Sequence, residues 1–102
     1  MTQKIPSFIS DVNNEIIDAA VHALENEKFI LGESVFKFEE EFAKYIGTKN
    51  AISVNSGSSA LHLSLLSVNI SNNSKVITST NSFIASSNTI LSTGAEPILA
   101  DI

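Results

Sequence analysis

The stretch AISVNSGSSALHLSLL, Ala51–Leu66, predicts a β-strand that runs directly into an α-helix. Residues Ala51–Val54 are short and β-prone, and residues Ser58–Val68 place leucines on one face at helical spacing. Between them lies the turn Asn55–Ser59, with one glycine and three serine hydroxyls. Such a turn either binds a phosphate or is a plain turn in which a serine caps the helix.

The chain after this helix continues the alternation of strand and helix. Its pattern predicts a strand over Lys75–Ser79, a helix over Phe83–Ser92 that ends at Gly94, and a third strand in AEPILADI, residues 95–102. Short connections and crossover helices require parallel strands with right-handed crossovers. The order β-α-β-α-β therefore predicts the fold class α/β with a parallel sheet.

The residues before position 48 carry a helical pattern. Apolar residues at helical spacing predict a first helix from Val12 to near Glu27. Ser10 or Asp11 is expected to cap it, because short polar side chains accept hydrogen bonds from the first helical N–H groups.

A second amphipathic pattern predicts a helix over Val35–Ile46, with Ser34 as its cap and Gly47 as its C-terminal stop. We therefore divide the chain into a helical lead-in, residues 1–47, and the start of a larger α/β domain, residues 48–102.

Composition excludes several classes of protein. The formal net charge is −5, and the six basic residues are scattered lysines, which argues against a nucleic-acid phosphate site. The absence of cysteine excludes disulfides and thiolate metal sites. No paired His and carboxylate spacing predicts a metal site. No apolar run reaches the roughly 20 residues of a membrane span, so we expect a cytoplasmic protein without membrane contact.

The predicted sheet is poorly covered by the predicted helices. Parallel sheets need helices on both faces, and three strands with this much helix do not provide them. We therefore expect the chain to be the N-terminal part of a longer, truncated protein.

Two groups at the carboxyl ends of predicted strands are candidates for ligand binding. Gly57 allows close approach of a ligand, and the backbone N–H groups of Ser58 and Ser59 suit a phosphate at a helix N-terminus. The alternative is that Ser56 or Ser58 only caps the helix. The ring of Phe83 is placed to stack on a flat heterocycle, or it is a core residue in the first helical turn. Residue types alone favour the second interpretation in both cases.

Three further features have simpler interpretations. His62 is expected to be a packed, hydrogen-bonded histidine rather than a ligand. The run Glu39–Glu41 is expected to be a solvated helix face. Asp101 follows a predicted strand, and a site role and a turn role are equally open.

Taken in order, these pieces resemble the DegT/DnrJ/StrS family of PLP-dependent nucleotide-sugar aminotransferases, of the fold type I class. The resemblance covers about residues 5–102 and rests on the order and spacing of several short motifs. These are FILG at 29–32, FEEEFAKYIG at 38–47, SGSSALH at 56–62, VIT at 76–78 and GAEP at 94–97.

The resemblance implies a site for pyridoxal 5'-phosphate (PLP). In this family the turn matching Ser56, Gly57 and Ser58 holds the cofactor phosphate, and the aromatic residue matching Phe83 stacks on the pyridine ring. The lysine that forms a Schiff base with the cofactor lies beyond the matched region, so no catalytic residue is assigned.

The resemblance also implies a function for the intact protein. It would transfer an amino group, from glutamate, to a nucleotide-linked keto sugar for polysaccharide or glycoside biosynthesis, and it would act as a homodimer. Two alternatives stay open: a PLP-dependent sugar dehydratase of the same family, and a non-catalytic α/β binding module.

Overall fold

A computed structural model describes residues 5–102 and divides the chain into two compact units. The first unit ends at Ser53, and the second comprises Val54–Ile102. The first contains two helices and the second two helices and two strands: α1 Asn14–Asn26, α2 Glu33–Ile46, α3 Gly57–Ser67, β1 Lys75–Ser79, α4 Ala85–Ser92 and β2 Glu96–Ala100.

Helix α1 is capped by Asn13. The side-chain oxygen of Asn13 accepts a hydrogen bond from the backbone N–H of Ile16 at 3.0 Å. The prediction of Ser10 or Asp11 as the cap is therefore wrong, because the helix begins two residues later than the apolar pattern indicates.

Helix α2 begins without a side-chain cap. Gly32 is its N-cap residue, so the prediction of Ser34 in this role is wrong. Instead, the hydroxyl and the backbone N–H of Ser34 donate to the two carboxylate oxygens of Glu27, at 2.5 and 2.9 Å. The predicted stop at Gly47 is confirmed: its φ of 79° is left-handed, and its N–H donates to the carbonyl of Ala43.

The predicted strand Ala51–Val54 is absent from the described residues. A strand needs a partner for its backbone groups, and here the N–H of Ser53 donates to a side chain, Glu39 Oε1, at 2.7 Å. The sheet of the second unit therefore has two strands rather than the three that the pattern predicts.

The second unit is a βαβ arrangement with α3 packed on its helix. Strands β1 and β2 are parallel, in a register that pairs Lys75 with Glu96 and Ser79 with Ala100, and α4 packs on both. The predicted bounds of β1 are confirmed. Helix α4 begins two residues later than predicted, which leaves Phe83 outside it. Gly94, with φ of 82°, lies just after the helix end, as predicted.

Much apolar surface is uncovered. The accessible surface is 8896 Å², whereas a folded monomer of 10.9 kDa exposes about 5,600 Å². Among residues 5–102 few residues are buried, and most of them are small: Gly32, Ala43, Ala85, Thr89, Ile90 and Ala95. Within residues 5–102, no helix has the length and apolar content to cross a bilayer.

Candidate cofactor-binding site

The start of α3 is built by a serine cap. Ser56 has extended backbone, with φ of −163° and ψ of 157°, and its hydroxyl oxygen accepts a hydrogen bond from the N–H of Ser59 at 3.1 Å. Its carbonyl accepts from the N–H of Ala60 at 3.0 Å, which closes the first turn. The Ser56 hydroxyl also lies 3.0 Å from the hydroxyl of Ser59, and either of the two can be the donor in this hydrogen bond. When Ser59 donates, the Ser56 hydroxyl hydrogen is available for another acceptor.

The next two residues supply free donors. No acceptor is found for the backbone N–H groups of Gly57 and Ser58 among the described residues. These groups lie at the positive end of the helix dipole, where an anion is stabilised. A Cβ added at Gly57 would meet nothing within 4 Å, so there is room for a ligand above this backbone. The arrangement fits a phosphate.

Phe83 lies between β1 and α4. It is 77% exposed, and its carbonyl accepts a hydrogen bond from the N–H of Ser86 at 2.9 Å. The alternative of a core phenylalanine inside the first helical turn is therefore not what the structure has. The ring is accessible for stacking against a flat ligand.

The structure brings three of the four predicted site residues together. Ser56, Gly57 and Ser58 form one turn, and Phe83 belongs to the same unit. A cavity of about 520 Å³ lies beside α3 and α4, and of the four only Ser58 lines it. The turn is therefore a coherent candidate site, while Phe83 lies outside this cavity.

The same cavity is lined by a residue for which the sequence predicted no site role. His62 lines it, half-buried, and its Nδ1 is buried with no hydrogen-bond partner in the part of the chain that the structure describes. The expected hydrogen bond of this histidine is therefore not found at Nδ1. The available signal was its spacing of four from Ser58, which places both on one helix face.

Asp101 directly follows β2, and its carboxylate accepts a hydrogen bond from the N–H of Ile102 at 3.0 Å. This contact is local, because it joins adjacent residues, and it decides neither of the two roles considered for Asp101. Residues 5–102 contain no group of His, Asp and Glu side chains with the geometry of a metal site.

The glutamate run on α2 is not a uniform solvated face. Glu40 pairs with Lys44 at 2.7 Å and Glu41 with Lys37 at 3.9 Å, both exposed and four residues apart. Glu39 instead accepts two hydrogen bonds from Ser53. The backbone N–H and then the hydroxyl of Ser53 hold the pKa of Glu39 below its ordinary value of 4.5.

Fold and turn together define an α/β protein in which a serine-capped helix start with two free N–H groups belongs to the same unit as a parallel strand pair. A model of the DegT/DnrJ/EryC1/StrS aminotransferase family matches residues 10–102. The chain belongs to this family, which confirms the predicted resemblance.

Individual relatives agree with the family match. The chain is 39% identical to the spore coat polysaccharide biosynthesis protein SpsC of Bacillus subtilis, over 96% of this chain and 25% of that protein. It is 41% identical to the GDP-perosamine synthase of Caulobacter vibrioides, over 70% of this chain and 19% of that one.

A solved structure extends the similarity to the fold. A Streptococcus pneumoniae protein described as a sugar aminotransferase, solved in its PLP form, superposes with a TM-score of 0.89. It is 26% identical over 98% of this chain and 26% of that chain. The predicted fold class, an α/β part of a fold type I transferase, is thereby confirmed. The chain spans about a quarter of the length of the relatives that it matches.

Proposed function

We propose that the full-length protein containing this chain is a PLP-dependent aminotransferase that acts on a nucleotide-linked keto sugar. The amino group would come from glutamate, and the product would serve polysaccharide or glycoside biosynthesis. The observation that supports this proposal is the family match over residues 10–102, which contains the turn Ser56–Ser58 at the start of α3.

The residues of this chain have defined tasks in the proposal. The N–H groups of Gly57 and Ser58 and the hydroxyl of Ser56 would hold the phosphate, and the ring of Phe83 would lie against the pyridine. PLP, when bound, supplies an electron sink for negative charge at the reacting carbon. The donors are aligned with the α3 dipole before any ligand binds, so little reorganisation is needed.

Residues 1–102 alone are not proposed to catalyse transamination. None of the six lysines lies at the position of the family's catalytic lysine, so the reacting groups would come from the remainder of the full-length protein. We also propose that this protein is a homodimer and that it works in the cytoplasm. The chain without cysteine needs no oxidising compartment.

The test is a cofactor and turnover measurement on the full-length protein. We expect purified protein to bind PLP with a visible absorbance band that borohydride removes, and to release 2-oxoglutarate from glutamate when a nucleotide keto sugar is supplied. Bound PLP that resists borohydride, without glutamate turnover, would indicate the dehydratase. A protein with no measurable PLP binding would contradict the proposal and leave a binding module.

A further inference from the structure

The hydroxyls of Ser56 and Ser59 form a hydrogen-bonded pair at the start of α3. Their oxygens lie 3.0 Å apart, and the distance is compatible with either hydroxyl as the donor. The backbone N–H of Ser59 donates to the same Ser56 oxygen at 3.1 Å. Ser59 therefore contacts Ser56 through both its backbone and its side chain, and the direction of the hydroxyl pair decides what Ser56 offers to a ligand.

The exposure of the two residues favours one direction. Ser56 is exposed, so its hydrogen can reach solvent or a ligand, whereas Ser59 is half-buried. Within residues 5–102, the Ser56 oxygen is the only hydrogen-bond partner of the Ser59 hydroxyl. If Ser56 were the donor, the Ser59 hydrogen would lose this acceptor, and a covered polar hydrogen without an acceptor costs free energy. When Ser59 donates, both hydrogens find an acceptor.

This direction makes the Ser56 hydroxyl a donor toward the ligand. Its oxygen then accepts two hydrogen bonds, from the N–H and from the hydroxyl of Ser59, so both of its lone pairs are used. Only its hydrogen remains available, and an O–H group suits an acceptor such as a phosphate oxygen. Hydrogen bonds in such a chain polarise one another, and an ionised acceptor at its end strengthens the last one.

We propose that Ser59 is a positioning residue, whose hydroxyl donates to Ser56 and thereby commits the Ser56 hydroxyl to donate to the cofactor phosphate. The inference rests on the proposed function, because that function assigns the phosphate to the turn Ser56–Ser58. The Ser59 side chain does not touch the phosphate; it acts through the Ser56 oxygen. Both residues belong to the second unit and to the first turn of α3.

The test compares PLP with pyridoxal, which lacks the phosphate, as ligands of the full-length protein. The dissociation constant of pyridoxal divided by that of PLP measures the contribution of the phosphate. We expect Ser59→Ala to reduce this ratio about threefold, the scale of one neutral hydrogen bond. Ser59→Thr keeps a hydroxyl on the same Cβ and should preserve the ratio. Ser64→Ala, at an exposed position of the same helix, is the matched control and should also leave it unchanged.

A double substitution shows whether Ser59 acts through Ser56. Glycine caps a helix almost as well as serine does, so Ser56→Gly removes the hydroxyl and keeps the fold. In this background Ser59→Ala should leave the ratio unchanged, because the hydroxyl through which Ser59 acts is gone. Alanine is a better helix former than serine, so we expect Ser59→Ala to fold in both backgrounds.

Two results would overturn the inference. An unchanged or increased ratio in Ser59→Ala would show that the Ser59 hydroxyl does not prepare Ser56 for the phosphate, whatever its effect on the midpoint of denaturation. A reduction that persists in the Ser56→Gly background would show that Ser59 acts independently of Ser56. Either result leaves the proposed function intact as long as the unaltered protein prefers PLP. If the unaltered protein binds PLP no better than pyridoxal, the phosphate turn itself is wrong, and the inference falls with it.

Discussion

The hydroxyl oxygen of Ser56 lies 3.1 Å from the backbone nitrogen of Ser59 and 3.0 Å from the Ser59 hydroxyl. This geometry makes Ser56 a helix cap, and we propose that its hydroxyl also binds the cofactor phosphate. The two roles make opposite demands on charge: a cap tolerates a carboxylate, whereas a phosphate site does not.

Ser56→Asp separates these roles. Aspartate caps a helix as well as serine does, so we expect the free energy of unfolding of the full-length protein to change by less than about 1 kcal/mol. The new carboxylate would repel the phosphate, and we expect PLP affinity to fall by at least about tenfold. Fluorescence titration with PLP and chemical denaturation measure the two quantities.

Asn13→Asp provides the control for this substitution. Asn13 caps α1 in the same geometry, so its replacement should alter neither stability nor PLP affinity. Unchanged PLP affinity in Ser56→Asp would mean that the turn only caps the helix.

Local pattern was sufficient to predict much of the second unit. The bounds of β1 follow from five β-prone residues between polar ones, and the position of Ser56–Ser58 at a helix start follows from the hydroxyl cluster before the leucines. The starts of α1 and α2 were less predictable, because several polar residues compete as caps. Ser34 instead donates to Glu27, which lies seven residues away in sequence.

Contacts between distant residues were not predictable. The acceptor of the Ser53 N–H is 14 residues away on a helix whose three consecutive glutamates look alike in sequence. The strand predicted over Ala51–Val54 was wrong for the same reason. Its residue types suit a strand, but strand formation depends on a pairing partner that the local sequence does not reveal.

Acid should open the contact between Glu27 and Ser34. The hydroxyl and then the N–H of Ser34 hold the pKa of Glu27 below 4.5. A folded-state pKa below the unfolded value contributes stability that is present above pH 4.5 and is lost as pH falls through the folded value. Glu27→Gln removes this carboxyl group, so the stability of the variant should fall less steeply below pH 4.5 than that of the unaltered protein.

Denaturation midpoints of the full-length protein between pH 3 and 7 would measure this effect, over about the range in which carboxyl groups titrate. Glu25→Gln is the control, because Glu25 lies in the last turn of α1, two residues before Glu27, and its side chain makes no hydrogen bond or ion pair among residues 5–102. Equal pH profiles for Glu27→Gln and Glu25→Gln would contradict the prediction.

Gly94→Ala should destabilise the second unit. The φ of Gly94 is +82°, a conformation that costs a residue with a side chain about 1–2 kcal/mol. The added Cβ would also lie 1.7 Å from Oδ1 of Asn72, so this side chain must move. Gly47 has a similar φ of +79°, and a Cβ added there would meet no atom within 4 Å. Gly47→Ala should therefore cost only the free energy of placing alanine in this backbone conformation.

The comparison is made by chemical denaturation of the full-length protein. Gly94→Ala is expected to lose more stability than Gly47→Ala, and replacement of Asn72 by alanine in the same variant should reduce the difference. Equal losses for the two glycine variants would show that Asn72 does not restrict this position.

Gly57→Ala tests the phosphate turn without damage to the fold. Its Cβ meets nothing within 4 Å, and alanine favours a helix over glycine by up to about 1 kcal/mol, so stability should be equal or higher. The methyl group would occupy the space above the free N–H groups, and we expect PLP affinity of the full-length protein to fall about tenfold or more. Ser64→Ala, on an exposed part of α3, should leave affinity unchanged. Full PLP affinity in a stable Gly57→Ala protein would place the phosphate elsewhere.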